Sequence, residues 1–352
     1  MRAGIISLGS VSSQMVADKL TQYFDHVDMI NLKEIEVILG KEAGVYYQGE
    51  LLRKYDTLYV KGSFRYAQLL RSITSMLEKK VPYLPLPADS FTVVHNKLLT
   101  HLALQQHNIP MPQTYVSPNI AEAKYLLKRV NYPIVMKFPH GTQGKGVMFA
   151  DSESSAASVL DALGALNQPF IIQEYIESGG TDVRVIVVGD RAIAAMRRRA
   201  MTNEKRANIH AGGSGEMVEL TDKISTLAVQ TAKALKADIC GVDILEGPRG
   251  AMVIEANISP GLQGISKVVP VDIADAIAKH MFEQASKNVQ PKSVLKELNL
   301  DEISGDKELM TNLKIRADQI VLPPVAKRVS GFRETDDVLI KLNKNKISIE
   351  RL

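Results

Sequence analysis

The 352-residue sequence contains a single cysteine, Cys240. One thiol excludes an internal disulfide framework and a zinc site built from several cysteines. Cys240 lies in an apolar run, so we predict a buried strand residue and not a nucleophile. A chain without disulfides is typical of a reducing compartment, and we expect a cytoplasmic protein.

Long apolar segments are also absent. No run approaches the ~18 residues that a membrane helix needs. Residues 1–8 are predicted to form a first strand, because neither the long apolar core nor the small-residue cleavage site of a signal peptide follows them. No GxGxxG sequence opens the first predicted helix, so the usual dinucleotide-binding fold is not supported.

The charge is nearly balanced, with a net value of only +4. Residues 310–352 hold nine Lys/Arg and five Asp/Glu, so this segment carries the whole excess. A basic tail on a neutral body suggests a separate module, although a solvated basic surface would explain the same charges. Hydrophobic residues make up 45% and charged residues 23%, which is typical of a globular protein with a sizeable core.

The pattern of apolar residues changes along the chain. Strands and helices alternate over residues 1–95, with a first helix predicted at 16–24, which indicates a parallel α/β domain. Long hairpins mixed with helices over residues 96–287 predict an α+β domain with two subdomains. Residues 288–311 are polar and are predicted to be a linker, and residues 312–352 a small β-rich domain.

A predicted hairpin over residues 239–257 carries acidic side chains. Side chains alternate along a strand, so Glu255 and Asn257 point the same way, and Asp243 on the paired strand can face them. Two carboxylates and an amide oxygen are hard ligands that suit magnesium. Ordinary polar edge residues are the alternative, but the flanking residues are apolar and would leave this face half-buried and unpaired.

Lys137 lies inside the apolar predicted strand 134–138. A lysine there needs a counter-charge, which a nucleotide phosphate can supply. The loop that follows contains Gly141, Gly144 and Gly146, which free the backbone to donate N–H groups to phosphate oxygens. Such a loop alone is equally typical of a plain hairpin. Because the loop lies between Lys137 and the acidic residues Asp243 and Glu255 further along the chain, we favour a loop that closes over nucleotide phosphates.

Two further strand ends carry candidate ligands. Glu174 and Tyr175 end a strand whose main chain could meet an adenine edge, and Asp182 could hold a ribose hydroxyl or be a simple turn residue. Downstream, arginines at the end of a strand and beyond it can bind phosphate or carboxylate groups in bidentate fashion, or contact only solvent. The candidates among them are Arg198, Arg199 and Arg206.

Taken in order, these motifs closely resemble the RimK branch of the ATP-grasp superfamily over roughly residues 1–286. The resemblance implies an ATP-grasp fold with a pre-grasp α/β domain at 1–95 and the grasp domain at 96–287. It implies two magnesium ions on Asp243, Glu255 and Asn257, with manganese able to substitute. The implied nucleotide-binding residues are Lys97, Lys137, Gly141, Gln143, Gly144, Gly146, Glu174, Tyr175, Asp182, Arg206 and Asn208.

The resemblance predicts an ATP- and magnesium-dependent, ADP-forming carboxylate–amine ligase that works through an acyl phosphate. It implies L-glutamate as the amine and an acidic acceptor, either a protein C-terminus or a glutamyl-tailed coenzyme. Arg198, Arg199 and Arg206 are the predicted catalytic residues, binding the acyl phosphate and the acidic substrate. RimK itself has His-Arg-Gly-Gly where this chain has Ala211 after His210, which bears on the acceptor.

Two other functions stay open. One is a ligase of the same chemistry that acts on an amino-group carrier protein. The other is a nucleotide-sensing, DNA-binding regulator whose grasp domain is not catalytic, although the intact acid cluster argues against it. The sequence does not decide the acceptor, the number of residues added or α versus γ linkage.

Residues 312–352 resemble an AbrB-type swapped-hairpin module. Strands are predicted at 312–315, 319–323, 337–342 and 346–350, around a one-turn helix at 324–329. Such modules usually dimerise, and strands this short cannot bury a core alone, so we expect a homo-oligomer. Many also bind DNA, but the charge excess is weak and no aromatics are interleaved, so neither nucleic acid nor membrane is an expected partner.

Overall fold

The computed structural model describes residues 1–139, 146–199, 214–288, 314–316, 319–321, 331–333, 336–343 and 346–352. The chain divides into two units, Met1–Gln290 and Pro291–Leu352. None of the described helices is long and apolar enough to cross a membrane.

The N-terminal region is built on a parallel sheet with strand order β2–β1–β6. Its first helix begins at Val11, ahead of the predicted start at residue 16, because the Ser10 side chain accepts a hydrogen bond from the backbone N–H of Ser13 and caps it. Strands β3, β4 and β5 form a separate antiparallel sheet. The elements are β1 Arg2–Ser7, α1 Val11–Leu20, β2 His26–Asn31, β3 Ile35–Ile38, β4 Gly44–Tyr47, β5 Glu50–Leu51, β6 Thr57–Val60, α2 Ala67–Leu77 and α3 Ala88–Val94.

A second region carries the small sheet, an antiparallel sheet with order β7–β10–β8–β9. Its own apolar core includes Leu127, Ile134, Met136 and Leu160, so it folds around a centre distinct from the rest of the unit. The elements are α4 Lys97–Gln106, β7 Thr114–Tyr115, α5 Ile120–Leu127, β8 Ile134–Lys137, β9 Val147–Ala150, α6 Glu153–Ala165 and β10 Ile171–Glu174.

The large sheet is antiparallel with order β13–β12–β11–β14–β15. Helix α7 packs on β11, β12, β14 and β15, and helix α8 on β11 and β12. Cys240 is fully buried in this sheet, as predicted, and burial raises the pKa of its thiol to about 12. The elements are β11 Thr181–Val188, β12 Arg191–Arg199, β13 Ser214–Met217, α7 Asp222–Ala234, β14 Ile239–Gly247, β15 Gly250–Asn257 and α8 Ile273–Asn288.

The C-terminal unit contains two antiparallel strand pairs. The first pair is β16 Lys314–Arg316 with β17 Gln319–Val321. The second pair is β18 Val338–Asn343 with β19 Lys346–Arg351, and we call it the C-terminal hairpin. The one-turn helix predicted at 324–329 lies outside the described residues, as does most of the predicted linker at 288–311.

Candidate active site

A cavity of about 570 Å³ lies within the first unit, between the N-terminal region, the small sheet and the large sheet. The structure brings together at its walls most of the described residues that the sequence nominated. These are Lys97, Lys137, Gly146, Glu174, Tyr175, Asp182, Arg198, Asp243, Glu255 and Asn257. Arg199 is exposed at the end of β12 and does not line the cavity. The predicted residues Gly141, Gln143, Gly144, Arg206 and Asn208 lie outside the described residues.

Strand register places charged side chains next to one another on one face of the large sheet. Asp182 on β11 lies opposite Arg198 on β12. Arg184 on β11 lies opposite Asp243 on β14, which in turn lies opposite Glu255 on β15. Partners in antiparallel strands share a face, so two arginines and three carboxylates lie together on four neighbouring strands.

These side chains form a buried ion-pair cluster. Arg184 donates from Nε and Nη2 to the two carboxylate oxygens of Asp243, at 2.8 and 2.7 Å. Arg198 donates in the same bidentate way to Asp182, at 2.6 and 2.8 Å, and its Nη2 also lies 2.8 Å from Asp243 Oδ2. Asp243 is thus held by two guanidinium groups, and both oxygens of Asp182 are already occupied by Arg198.

The pKa values of the cluster follow from burial and pairing. Burial alone would raise the pKa of Asp243, but Arg184 and Arg198 outweigh it and lower that pKa to about 2. Burial and the nearby Asp243 raise the pKa of Asp182 to about 6, against the opposing effect of Arg198. Both carboxylates are therefore ionised at neutral pH, and two arginines balance them.

The three predicted metal ligands lie on the same face. Asn257 lies opposite Gly241, two residues from the pair formed by Asp243 and Glu255. The Asn257 side-chain oxygen accepts a hydrogen bond from the backbone N–H of Ser259 at 2.8 Å, and the Glu255 carboxylate accepts none from the described residues. Two carboxylates and an amide oxygen fit magnesium, which keeps its other positions for water and phosphate oxygens. No group of three or more His, Cys, Asp or Glu in the described part of the chain could form a metal cage of another kind.

The Lys137 amine has a neutral hydrogen-bond partner, and the Glu255 carboxylate acts on it only through its charge. Its Nζ donates to Gln173 Oε1 at 2.6 Å, and burial lowers its pKa to about 8. Gln173 Nε2 lies 2.8 Å from His101 Nε2 and donates to Thr114 Oγ1 at 2.9 Å. Because Gln173 Nε2 is the donor, His101 Nε2 accepts, and the other ring nitrogen of His101 donates to the carbonyl of Lys97 at 2.6 Å.

This chain of hydrogen bonds, which we call the Lys137 relay, fixes the position of the Lys137 amine. Burial lowers the pKa of His101 to about 4, so the imidazole stays neutral at physiological pH. The sequence interpretation did not select His101 or Gln173. The only available signals were the spacing of Lys97 and His101, one helical turn apart, and the position of Gln173 directly before Glu174.

The remaining nucleotide candidates surround the relay. Gly146 has φ +76°, and a β-carbon there would collide with the Phe138 ring, so glycine is required where the chain rejoins β9. Glu174 forms an ion pair with Arg249, and its carboxylate also accepts from the backbone N–H of Gln113 at 3.3 Å. These contacts fix the position of the Glu174 backbone and side chain at the end of β10.

The chain matches known proteins over most of its length. The RimK-like ATP-grasp domain model matches residues 94–281. A probable alpha-L-glutamate ligase of Xanthomonas euvesicatoria pv. vesicatoria (strain 85-10) is 34% identical over 246 residues, which cover 69% of this chain and 83% of the relative. A probable alpha-L-glutamate ligase of Cellvibrio japonicus (strain Ueda107) is 31% identical over 277 residues, covering 78% and 92%.

A solved structure shares the fold. The ATP-grasp ligase PsnB, complexed with a minimal precursor, superposes with a TM-score of 0.64 at 19% identity, covering 80% of this chain and 98% of PsnB. The predicted ATP-grasp fold, with its mixed α/β and α+β architecture, is confirmed. The chain belongs to the RimK-like ATP-grasp family and is an ADP-forming ligase that makes amide bonds.

Proposed function

We propose that this enzyme uses ATP and magnesium to join L-glutamate to an acidic acceptor through an acyl phosphate. The observation that carries the proposal is one cavity lined by Lys137, Asp243, Glu255 and Asn257 together. A lysine for phosphate and hard oxygen ligands for magnesium are the groups that phosphoryl transfer needs. The names of the two glutamate ligase relatives support glutamate as the amine.

The nucleotide would occupy the side of the cavity formed by the small sheet. Lys97 and Lys137 would contact phosphates, the loop that ends at Gly146 would cover them, and Glu174 and Tyr175 would meet adenine. Asp182 would accept a hydrogen bond from a ribose hydroxyl while its carboxylate also stays paired with Arg198. The predicted nucleotide contacts of Gly141, Gln143, Gly144, Arg206 and Asn208 belong to the same proposal.

Asp243, Glu255 and Asn257 would hold two magnesium ions, with manganese able to substitute. When bound, the metal neutralises charge on the β- and γ-phosphates. A carboxylate oxygen of the acceptor attacks the γ-phosphorus, and ADP leaves. The glutamate amine then attacks the acyl carbon, phosphate leaves, and the amine loses a proton to give the amide.

Arg198, Arg199 and Arg206 are the proposed contacts to the acyl phosphate and acidic substrate. The ion pairs of Arg198 indicate a more specific part for it, because a guanidinium held by Asp182 and Asp243 fixes the orientation of the metal-binding carboxylate. Arg199 is exposed, so it can meet substrate only at the rim.

The test is ADP release by the full chain with ATP, magnesium, L-glutamate and a panel of acceptors, with products identified by mass spectrometry. The panel contains glutamyl peptides, a glutamyl-tailed coenzyme and an acidic carrier protein. With acceptor but no amine, hydroxylamine should trap the acyl phosphate as a hydroxamate. ADP release that never depends on an acceptor, with no hydroxamate, would contradict the proposal.

A finer part of the proposal concerns the C-terminal hairpin, which we infer pairs with a second copy of the chain, as an AbrB-like module would. Its register places five apolar side chains on one face, and all are exposed, from 37% to 72%. They are Val338, Ile340, Leu342, Ile347 and Ile349. The opposite face carries the ion pair between Lys341 and Glu350.

A hairpin of two strands with one bare apolar face gains stability by covering that face. Another copy offers the same apolar face, so two hairpins can bury both at once in a two-fold arrangement. Light scattering should find a dimer of the full chain, and a monomer at all concentrations would contradict this part of the proposal. Cytoplasmic localisation and the absence of a nucleic-acid partner remain expectations.

A further inference from the structure

The N-terminal region contributes its own end of the cavity wall. This end, which we call the Lys61 end, is lined by Ser10, Ser13, Lys61, Gly62 and Ser63. None of these residues takes part in the nucleotide or metal roles described above. Their chemistry is that of an anion site, because it combines an amine, hydroxyl groups and the N-terminus of a helix.

Lys61 is buried, and the Tyr59 ring is the only partner of its amine among the described residues. Its side chain is only 5% exposed, and its amine makes no hydrogen bond or ion pair with any described residue; it lies 5.1 Å from the centre of the Tyr59 ring. Lys137, by contrast, donates to Gln173. A buried cation without a counter-ion destabilises the fold, so such groups are kept where a ligand supplies the opposite charge. Burial lowers the pKa of Lys61 to about 8, in line with this deficit.

The N-terminus of helix α1 supplies free donors beside it. Ser10 caps the helix through the N–H of Ser13, whose hydroxyl also lies 2.9 Å from Ser10 Oγ. The backbone N–H groups of Val11 and Ser12 donate to no acceptor among the described residues. Unsatisfied N–H groups and the positive end of the helix dipole attract an anion.

Topology places both features together. In the parallel sheet β1 lies between β2 and β6. The chain passes from β1 through α1 to β2 on one side and later returns to β6 on the other side, so the direction of strand addition reverses at β1. Ligands of open parallel sheets bind at the carboxyl ends of the strands at such a reversal. Lys61 directly follows β6, and its backbone N–H donates to Ile6 of β1 at 2.9 Å, which holds it at this crevice.

The segment after β15 connects the Lys61 end to the metal candidates. Ser259 accepts a hydrogen bond from the backbone N–H of Gly62 at 3.0 Å. Leu262 donates from its backbone N–H to the Ser12 hydroxyl at 2.9 Å. This segment begins directly after Asn257, so a ligand at the Lys61 end would lie in the same cavity as the proposed metal ligands.

We propose that the Lys61 end binds a substrate carboxylate that is not the one activated by ATP. This inference rests on the proposed function, and it assigns a binding site to the second carboxylate of an acidic substrate. One amine and two N–H groups can hold a carboxylate, and both substrates of the proposed reaction carry one. Helix N-termini also bind phosphate, so inorganic phosphate is included in the test below. The carboxylate can belong to the acceptor or to the incoming L-glutamate, and the two sources are separated by the probes below.

The test measures binding of two probes to the full chain with ADP and magnesium, by calorimetry. N-acetyl-L-glutamyl-L-glutamate has no free amine and can bind only as an acceptor, and L-glutamate reports the amino acid. Lys61→Met should weaken one of the two by about 10- to 100-fold, which is typical of a lost charged hydrogen bond. Lys61→Arg should retain most of the affinity. Lys54→Met, at an exposed lysine of the same segment, is the matched control and should bind like the wild type.

ADP affinity and thermal stability complete the test. Lys61→Met should bind ADP as tightly as the wild type and should melt at the same temperature or higher, because it removes an unpaired buried charge. A purely structural lysine would give a lower melting temperature and no selective loss of a probe. Three results would overturn the inference. The first is equal binding of both probes by Lys61→Met and wild type, and the second is no binding of either probe by the wild type. The third is Lys61-dependent binding of inorganic phosphate in place of both probes.

The outcomes also separate this site from the proposed function. If the wild type binds a probe through Lys61 but releases no ADP with any acceptor, the carboxylate site stands and the proposed ligase reaction fails. If Lys61→Met makes product with an unchanged KM for both substrates, the site fails and the reaction stands.

Discussion

The large sheet and the C-terminal hairpin depart from the usual distribution of residues in opposite ways. On the large sheet, Asp182, Arg198 and Asp243 are charged and buried. On the hairpin, Ile340 and Leu342 are apolar and exposed, by 53% and 72%. The first face pairs its charges and lines a cavity, and the second leaves its apolar groups in water. Each arrangement suits a different partner, an ion and nucleotide for the sheet and an apolar surface for the hairpin.

The largest effect is expected at the charged face of the sheet. Asp243→Asn and Glu255→Gln each keep the shape of the side chain and remove a negative metal ligand, so acceptor-dependent ADP release should fall by about 10³-fold or more. Glu246→Gln, on the same hairpin and outside the cavity lining, is the control. Retention of activity by either variant at saturating magnesium would remove that residue from the metal site.

A second test asks whether the unpaired charge at Lys61 weakens the fold. Its folded pKa of about 8 lies below the unfolded value of 10.5, so the destabilisation is fully present below pH 8 and disappears as pH rises through 10.5. The difference corresponds to on the order of 3 kcal/mol. Urea unfolding should therefore show Lys61→Met more stable than wild type at pH 7, and the gap should shrink by pH 10.

A stability gap that is equal at the two pH values would show that Lys61 is not a strained cation. Lys54→Met should give no gap at either pH, because Lys54 is exposed.

The apolar face of the hairpin gives the next largest effect. The double variant Ile340→Lys and Ile347→Lys replaces burial of two apolar side chains by repulsion, so self-association should weaken by about 100-fold or more. Sedimentation would measure it. Lys341→Gln, on the opposite face, should leave association unchanged. An oligomer that survives the double change would place its interface elsewhere in the chain, and ADP release should persist in either case.

The smallest effect is expected in the Lys137 relay. Gln173→Leu removes the acceptor for Lys137 and the donor to His101, so the amine loses its fixed position and the KM for ATP should rise by about 10-fold. The kcat should change less, because the lysine itself remains. Gln168→Leu, at an exposed glutamine before β10, should leave the KM unchanged. An unaltered KM in Gln173→Leu would mean that the relay does not position Lys137.

The sequence predicted which residues line the cavity better than it predicted their contacts. Period-two alternation correctly placed Glu255 and Asn257 on one face of β15. Asp243 faces Glu255 because the register of β14 and β15 shifts between Asp243 and Ile244, which the turn alone does not indicate. The pairs that join Asp182 to Arg198 and Arg184 to Asp243 depend on the register of three strands. The register of β11 and β12 shifts between Ile186 and Val187, and no local sequence pattern records such a shift.

Long-range packing limited the rest of the prediction. The phosphate contact of Lys137 stays a prediction, and its hydrogen bond to Gln173 of β10 could not be predicted because the two residues lie far apart along the chain. Helix α1 was predicted from apolar spacing and begins earlier because Ser10 caps it. No local pattern indicates that Lys61 is buried, because its surroundings depend on long-range contacts of the Lys61 and Gly62 backbone with Ile6 and Ser259.

The ion pairs of Asp243 bear on whether the protein needs a metal ion to fold and to stay folded. Its carboxylate is already neutralised by Arg184 and Arg198, so the large sheet can assemble without a cation. Small domains whose metal site forms only on folding unfold when a chelator removes the ion. Here the two guanidinium groups supply the positive charge that a bound cation would otherwise provide. We therefore expect the chain to fold without magnesium and to stay folded in the presence of a chelator.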